Sequence, residues 1–333
     1  MSLRVATLGA DVPLELVCAT GAGLVPPGHS DETPDFVDGG SRALARRVGA
    51  LVGAGAELIL ISRETDELAR AHDLLVGLQR VEPDRIPGRI ELVDVVHGDT
   101  AAHRAYNAAE VRRLVGVLPA SADPSRDPVA VALSELTSLT DALRALRAIR
   151  AATPPRDWTR RLIEAVSGDP GPQRGATIAS LGSAEVSDER VVRVHVTGSP
   201  AGALDAIETI EAIEGAGGRQ VGEDATADLL DATLADDADP AVVLGSFLAR
   251  RGPGRLAQLH PDERGRRIVE RAQRDRADLV LLRQDPDDLL VGWDVPLLRA
   301  ALRGVGVEFA IVQAGSVEGI RAAVRSTKGA TVR

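Results

Sequence analysis

The sequence predicts an α/β protein made of two flavodoxin/Rossmann-like parallel-sheet domains joined by a helical connector. Short apolar runs alternate with longer amphipathic stretches, which is the pattern of βα units and parallel sheets. The second half of the chain repeats the rhythm of the first. Between the halves lies a stretch rich in Ser, Asp and Pro, followed by an almost unbroken run of helix formers.

In the first half the pattern predicts strands over 4–8, 23–25, 58–61 and 90–95, and helices over 13–20, 41–54, 65–79 and 101–118. Pro13 followed by Glu15 suits a first helical turn, where a missing N–H costs nothing and a carboxylate complements the dipole. Leu68, Ala71, Leu74, Leu75 and Leu78 recur at helical spacing behind Thr65, which has the chemistry of an N-cap.

Residues 121–128 read as a linker, and 129–152 as a helix ended by Pro154 and Pro155, with another helix over 158–166. The second half predicts strands over 191–197, 219–221, 279–282 and 308–312, and helices over 201–214, 241–250, 263–274, 296–303 and 317–327. The expected domains are therefore 1–128, a connector over 129–175, and 176–333. Ligands of such sheets bind beyond the carboxyl ends of the strands, so the cleft between the halves is the expected site.

Composition narrows the function. The 333 residues are 44% hydrophobic but only 2% aromatic, so aliphatic side chains must fill the core. A net charge of −10 argues against nucleic acid and anionic membrane as partners. Neither a signal-peptide pattern nor an apolar run of the ~18 residues that a membrane span needs is found, so a cytoplasmic location is expected. Cys18 is the sole cysteine and Lys328 the sole lysine. One thiol forms no internal disulfide, structural zinc site or cysteine-ligated cluster.

Several segments, in order along the chain, resemble the cluster-binding subunits of the 2-hydroxyacyl-CoA dehydratase/benzoyl-CoA reductase superfamily. They are Pro13-Leu14-Glu15-Leu16 with Ala19-Thr20-Gly21, and the run from Thr65-Asp66 through Arg70, His72 and Asp73 to Leu74. In the second half they are Thr197-Gly198-Ser199-Pro200, Gly217-Gly218 with Val221-Gly222-Glu223-Asp224, Ala277-Asp278, and Trp293-Asp294-Val295-Pro296-Leu297-Leu298. The resemblance implies a 4Fe–4S cluster on three cysteines, fed by a separate ATP-driven activator. This chain is similar to a member that has lost them. The first cysteine falls at Thr65, the second within 251–258 and the third at about Asp288. Cluster irons want thiolates, so no cluster of its own is expected.

The resemblance makes Ser62, Arg63, Thr65, Asp66, Ser199 and Asp288 the candidate lining of the substrate cleft, with a CoA thioester as candidate substrate. Each has a plainer reading. Thr65 caps a helix, Ser199 caps the helix after a βα turn, and Asp288 belongs to a solvated acidic turn. The run 236–240 reads as a loop entering a helix. None of His29, His72, His97, His103, His195 and His260 has zinc-ligand spacing, and His195 reads as packed within a strand. The glycines near 21–23 and 53–55 precede strands, the reverse of a dinucleotide fingerprint, so NAD is not expected.

Three functions follow from the resemblance. The first is the CoA-binding or structural half of a complex with a cysteine-bearing homologous subunit. The second is a free-standing, cluster-independent enzyme acting on an acyl-CoA or other small anionic substrate. The third is a non-catalytic binding protein.

Overall fold

The computed structural model describes residues 2–25, 42–119, 125–149, 156–159, 191–198, 203–224, 234–251, 259–284 and 293–331. In chain order its main elements are β1 (Arg4–Leu8), α1 (Leu14–Ala19), β2 (Gly23–Val25), α2 (Arg42–Gly53), β3 (Leu58–Ser62), α3 (Asp66–Val81), β4 (Arg89–Val93) and α4 (Ala101–Val117). They continue as α5 (Pro128–Ile149), β5 (Val192–Gly198), α6 (Ala203–Gly215), β6 (Gly218–Glu223), α7 (Pro240–Arg251) and α8 (Pro261–Arg274). The last are β7 (Leu279–Gln284), α9 (Val295–Gly304), β8 (Glu308–Gln313) and α10 (Val317–Thr331).

The strands form two four-stranded sheets, ordered β2-β1-β3-β4 and β6-β5-β7-β8, and every pairing is parallel. The fold is the α/β pair of Rossmann/flavodoxin-like sheets that the sequence predicts. In the second sheet Leu279 and Leu281 pack with Ile213, Ile320 and Val324, and Val280 and Leu282 pack with Ile268, Leu298 and Leu302. Adjacent residues of β7 thus feed two separate cores, which is why the strand reads as an unbroken apolar run. No helix among the described residues is long and apolar enough to cross a membrane.

One strand stops early. β4 ends at Val93, short of the expected 95, because side chains of α4 take over from the ladder. The Asp94 N–H donates to Glu110 Oε1 at 3.1 Å. Beyond it, Asn107 accepts from the Val96 N–H at 2.9 Å and donates to the Val96 carbonyl at 3.0 Å. The chain after β4 is therefore held in place as it leads into His97.

The compact units do not run in chain order as the expected boundaries do. One comprises Met1–Thr140, Asp169–Pro172 and Ala232–Arg255, the other Asp141–Gly168, Gln173–Asp231 and Leu256–Arg333. The division falls inside α5, within the expected connector, and the segment carrying α7 joins the N-terminal sheet. The reason lies in α7 itself. Ala241 and every residue from Val243 to Ala249 are buried, so the helix has no solvent face and must be enclosed. It lies against α4, where a Cβ on Gly245 would come 2.9 Å from the Asn107 backbone. Residues 156–159 are helical, so the expected helix over 158–166 is described only at 158 and 159, and 160–166 lies outside the described residues.

Gly245→Ala should therefore overpack the α4–α7 contact and cost roughly 1–3 kcal/mol. Gly116→Ala, at a position in α4 with nothing within 4 Å of the added Cβ, should stabilise by up to about 1 kcal/mol. Urea denaturation followed by circular dichroism separates the two.

Candidate functional site

The first sheet reverses its winding between β1 and β3, the place where α/β sheets leave an open crevice at the strands' carboxyl ends. The chain leaves β1 through Gly9 at φ +98°, and a Cβ there would lie 2.5 Å from Ser62 Cβ, at the end of β3. Only a glycine permits both the left-handed conformation and the close crossing. The crossing brings the Ala10 and Asp11 amides over the end of β3, where Glu64 follows Ser62 by two residues.

There the two amides donate to one oxygen of Glu64, Ala10 N–H to Oε2 at 2.8 Å and Asp11 N–H at 3.2 Å. The Ser62 hydroxyl donates to the same oxygen at 3.3 Å while accepting the Glu64 N–H at 3.1 Å. Among the described residues Oε1 makes no hydrogen bond, and Glu64 is half-buried. Burial, then the nearby Asp11 charge, push the Glu64 carboxyl up to about 7 against the pull of the amides and hydroxyl.

Behind it lies a fully enclosed pair. His97 Nε2 is 2.8 Å from Asp11 Oδ2, with the side chains 0% and 1% exposed. His97 Nδ1 is 3.0 Å from the Ala249 carbonyl, which can only accept. Both ring nitrogens thus face acceptors, an arrangement that suits the imidazolium. Burial pulls the His97 pKa down, but the hydrogen bond and charge of Asp11 outweigh it and the net shift is upward. Among the described residues Asp11 Oδ1 is buried with no hydrogen-bond partner.

Helix α7 also clamps this turn. Arg251 bonds Glu15 Oε2 at 2.9 Å and donates to the carbonyls of Ala10 at 3.2 Å and Val12 at 2.7 Å. Its guanidinium lies 5.8 Å from the Phe247 ring centroid. Two residues more than 230 positions apart, Glu15 and Arg251, therefore form one buried ion pair.

Of the residues expected from the sequence, Ser62 belongs to this cluster. Arg63 is exposed and pairs with Asp94 at 3.3 Å, and the Tyr106 hydroxyl also donates to Asp94 at 2.8 Å. Thr65 is the N-cap of α3, accepting the Leu68 N–H at 3.2 Å, and Asp66 is exposed in the first turn. Ser199 and Asp288 lie outside the described residues. Asp11, Glu64 and Arg251 were not among the candidates expected from the sequence, and His97 was weighed there only as a zinc ligand and set aside. Glu64 lies next to Thr65, and Asp11 just past a glycine that ends a strand, so position relative to strand ends was the available signal.

Carboxylate, hydroxyl and imidazole are poor ligands for a thiolate-bound cluster, so these residues do not fit the group that the resemblance implies. Among the described residues no group of three or more His, Cys, Asp or Glu side chains is arranged to hold a metal ion.

The second unit has a buried cluster of a different kind. His195 is 2.9 Å from Asp275 Oδ2 through Nδ1 and 3.2 Å from Asp224 Oδ1 through Nε2, and Arg271 reaches the same Asp224 oxygen at 2.9 Å. A Cβ on Gly222 would lie 1.9 Å from Asp275 Oδ2, so that glycine makes room for the pair. Burial opposes the charge on His195, but the two carboxylates outweigh it and hold the imidazole up to about 9. His195 is indeed packed, as read from the sequence, but inside an ion network that fastens β5 to β6 and the end of α8.

No family model matches the chain, and no curated protein matches it. Among solved structures it is similar to the Cd-bound periplasmic metal binding protein from Candidatus Liberibacter asiaticus, with 8% identity over 100% of both chains and a TM-score of 0.26. The SBP FpvC from Pseudomonas aeruginosa in complex with Mn2+ shows 12% identity over 100% of this chain and 98% of its own, with a TM-score of 0.25. Likeness at this level assigns no function.

Two pH effects follow. A Glu64 raised from 4.5 to about 7 gives stability that is full below pH 4.5 and is lost as pH rises through 7. Glu64→Gln should remove that loss, so the variant gains on the wild type between pH 5 and 8 in denaturation midpoints. His195, raised from 6.5 to about 9, gives stability that is full below 6.5 and lost as pH rises through 9. Asp224→Asn, which breaks the network, should cost roughly 3–5 kcal/mol at neutral pH in the same measurement.

Proposed function

We propose that the chain is a cluster-independent proton-transfer enzyme acting on a small anionic substrate, with Glu64 as its acid–base group. The observation that carries this reading is the Glu64 carboxyl at the β1/β3 crossing, with Oε2 held by two amides and a hydroxyl and Oε1 left without a partner among the described residues. A carboxyl held by one oxygen presents the other in a fixed direction, as general acid–base catalysis requires. Titration near neutrality lets it both accept and return a proton at working pH.

The surrounding residues take positioning roles. Asp11 supplies an amide to Glu64, and its charge raises the Glu64 carboxyl. His97 anchors Asp11, and Arg251 with Glu15 fixes the turn that carries both amides. Arg63, the next residue before Glu64 in the chain, is exposed and paired with Asp94 at 3.3 Å, and would have to exchange that partner for a substrate's negative charge. The family resemblance supplies the substrate class, an acyl-CoA thioester, whose C2 proton is the one a carboxylate base would exchange.

A second reading, a structural partner of a cysteine-bearing homologue, draws on exposed apolar surface at the start of α9. Trp293 is 82% and Leu297 54% exposed, and both lie in a stretch that resembles the family. In that reading the partner holds the cluster and this chain supports it.

In D2O, wild-type protein should wash deuterium into C2 of short-chain acyl-CoA thioesters, read by mass spectrometry. Glu64→Gln should slow the exchange by about 10²-fold or more while leaving the circular dichroism spectrum unchanged. An absence of exchange with every thioester tried would sink the acid–base reading. Anaerobic purification from the native host that yields a stoichiometric, iron-containing homologue would favour the second.

A further inference from the structure

The second sheet has the same strand order as the first, and its winding reverses between β5 and β7. Arg283 stands at that point, paired with Gly198, the last residue of β5. In register it occupies the place that Ser62 holds in the first sheet, because Leu8 pairs with Ile61 there and Thr197 with Leu282 here. The crossing is again made by a glycine: Gly198 has φ +102°, and a Cβ on it would lie 2.1 Å from the Arg283 carbonyl oxygen.

Arg283 is only 3% exposed. Its Nε is buried without a hydrogen-bond partner, and among the described residues it has no ion pair. A guanidinium cannot discharge itself by losing a proton, so a buried one demands a counter-charge. The nearby acidic network does not supply it. Strand alternation puts Arg283 on the face of Leu279 and Leu281, under α6 and α10, whereas His195 and its carboxylates lie on the other side from Val194 and Val196. On the Arg283 face, α10 starts at Val317, just past the end of β8, so its positive end is at the same carboxyl edge of the sheet.

We infer that the second unit binds a small oxyanion, a phosphate or carboxylate group, on Arg283 at the β5/β7 crossing. The planar fork of the guanidinium suits either group, and a bound anion completes the hydrogen bonding that the described residues leave open at Nε. The site is separate from Glu64 and does not depend on the acid–base reading.

The test uses the full chain with two probes, inorganic phosphate and acetate, titrated calorimetrically at constant ionic strength set by chloride. The wild type should bind at least one of them saturably, and the one that binds more tightly identifies the group. Arg283→Met should raise the Kd by about tenfold or more. Without either anion, the methionine variant should melt no lower than the wild type, since it removes a buried charge that has no ion pair among the described residues. Should Arg283→Met fail to fold, Arg283→Lys keeps the charge but loses the fork, and should bind the same anion more weakly. Glu64→Gln should leave the binding unchanged. Saturable binding by neither probe, or equal binding by the wild type and the arginine variants, would overturn the inference.

Discussion

Both sheets wind outward from a central pair of parallel strands, β1 and β3 in one and β5 and β7 in the other. That topology sends successive connections to opposite sides and leaves the carboxyl ends of the central pair uncovered. The chain must then cross from one strand end past its neighbour at very short range. Gly9 and Gly198 make these crossings, each with a positive φ and each with no room for a side chain. The polar features of the two strand ends depend on this crossing, because it brings backbone amides and polar side chains together at the edge of an apolar core.

The two units use the same geometry with opposite charge. At the first crossing the groups are acidic, Glu64 with Asp11, balanced by His97 and framed by the Glu15–Arg251 pair. At the second it is the cation Arg283 that is buried. Elsewhere in the second unit buried charges are paired: His195 has carboxylates on both nitrogens, and Arg271 adds its own bond to Asp224. Such a network is a fastening, since losing one member leaves uncompensated charge. Among the described residues Asp224 Oδ2, Asp11 Oδ1 and Arg283 Nε are each buried without a hydrogen-bond partner, and the last two lie at the crossings.

Helix α7 connects sequence to site in a way that chain order conceals. Its apolar residues occupy the whole circumference, so it is enclosed wherever it packs, and it packs on α4. The close approach at Gly245 sets it beside Asn107, the residue that steers the chain toward His97. From the same helix come the Ala249 carbonyl that accepts from His97 and the Arg251 side chain that holds the turn after β1.

The strands, most of the helices and the two-sheet architecture were legible in the sequence, since periodicity and apolar runs report burial that each element needs regardless of its neighbours. The Thr65 cap was legible in the same local way. What the linear pattern did not contain was which residues meet. The early end of β4 came from Asn107 and Glu110 on the following helix, and the partition of the chain came from the enclosure of α7. Asp11, Glu64, His97 and Arg251 looked like ordinary polar residues in separate segments. Their chemistry arises from shared burial and from distances of about a hydrogen bond, and both are properties of the packed chain. Local sequence determined the elements, because propensity and hydrophobic period act over a few residues. Tertiary structure alone decided the site, because a pKa, an ion pair or an unpartnered charge depends on what is brought alongside it.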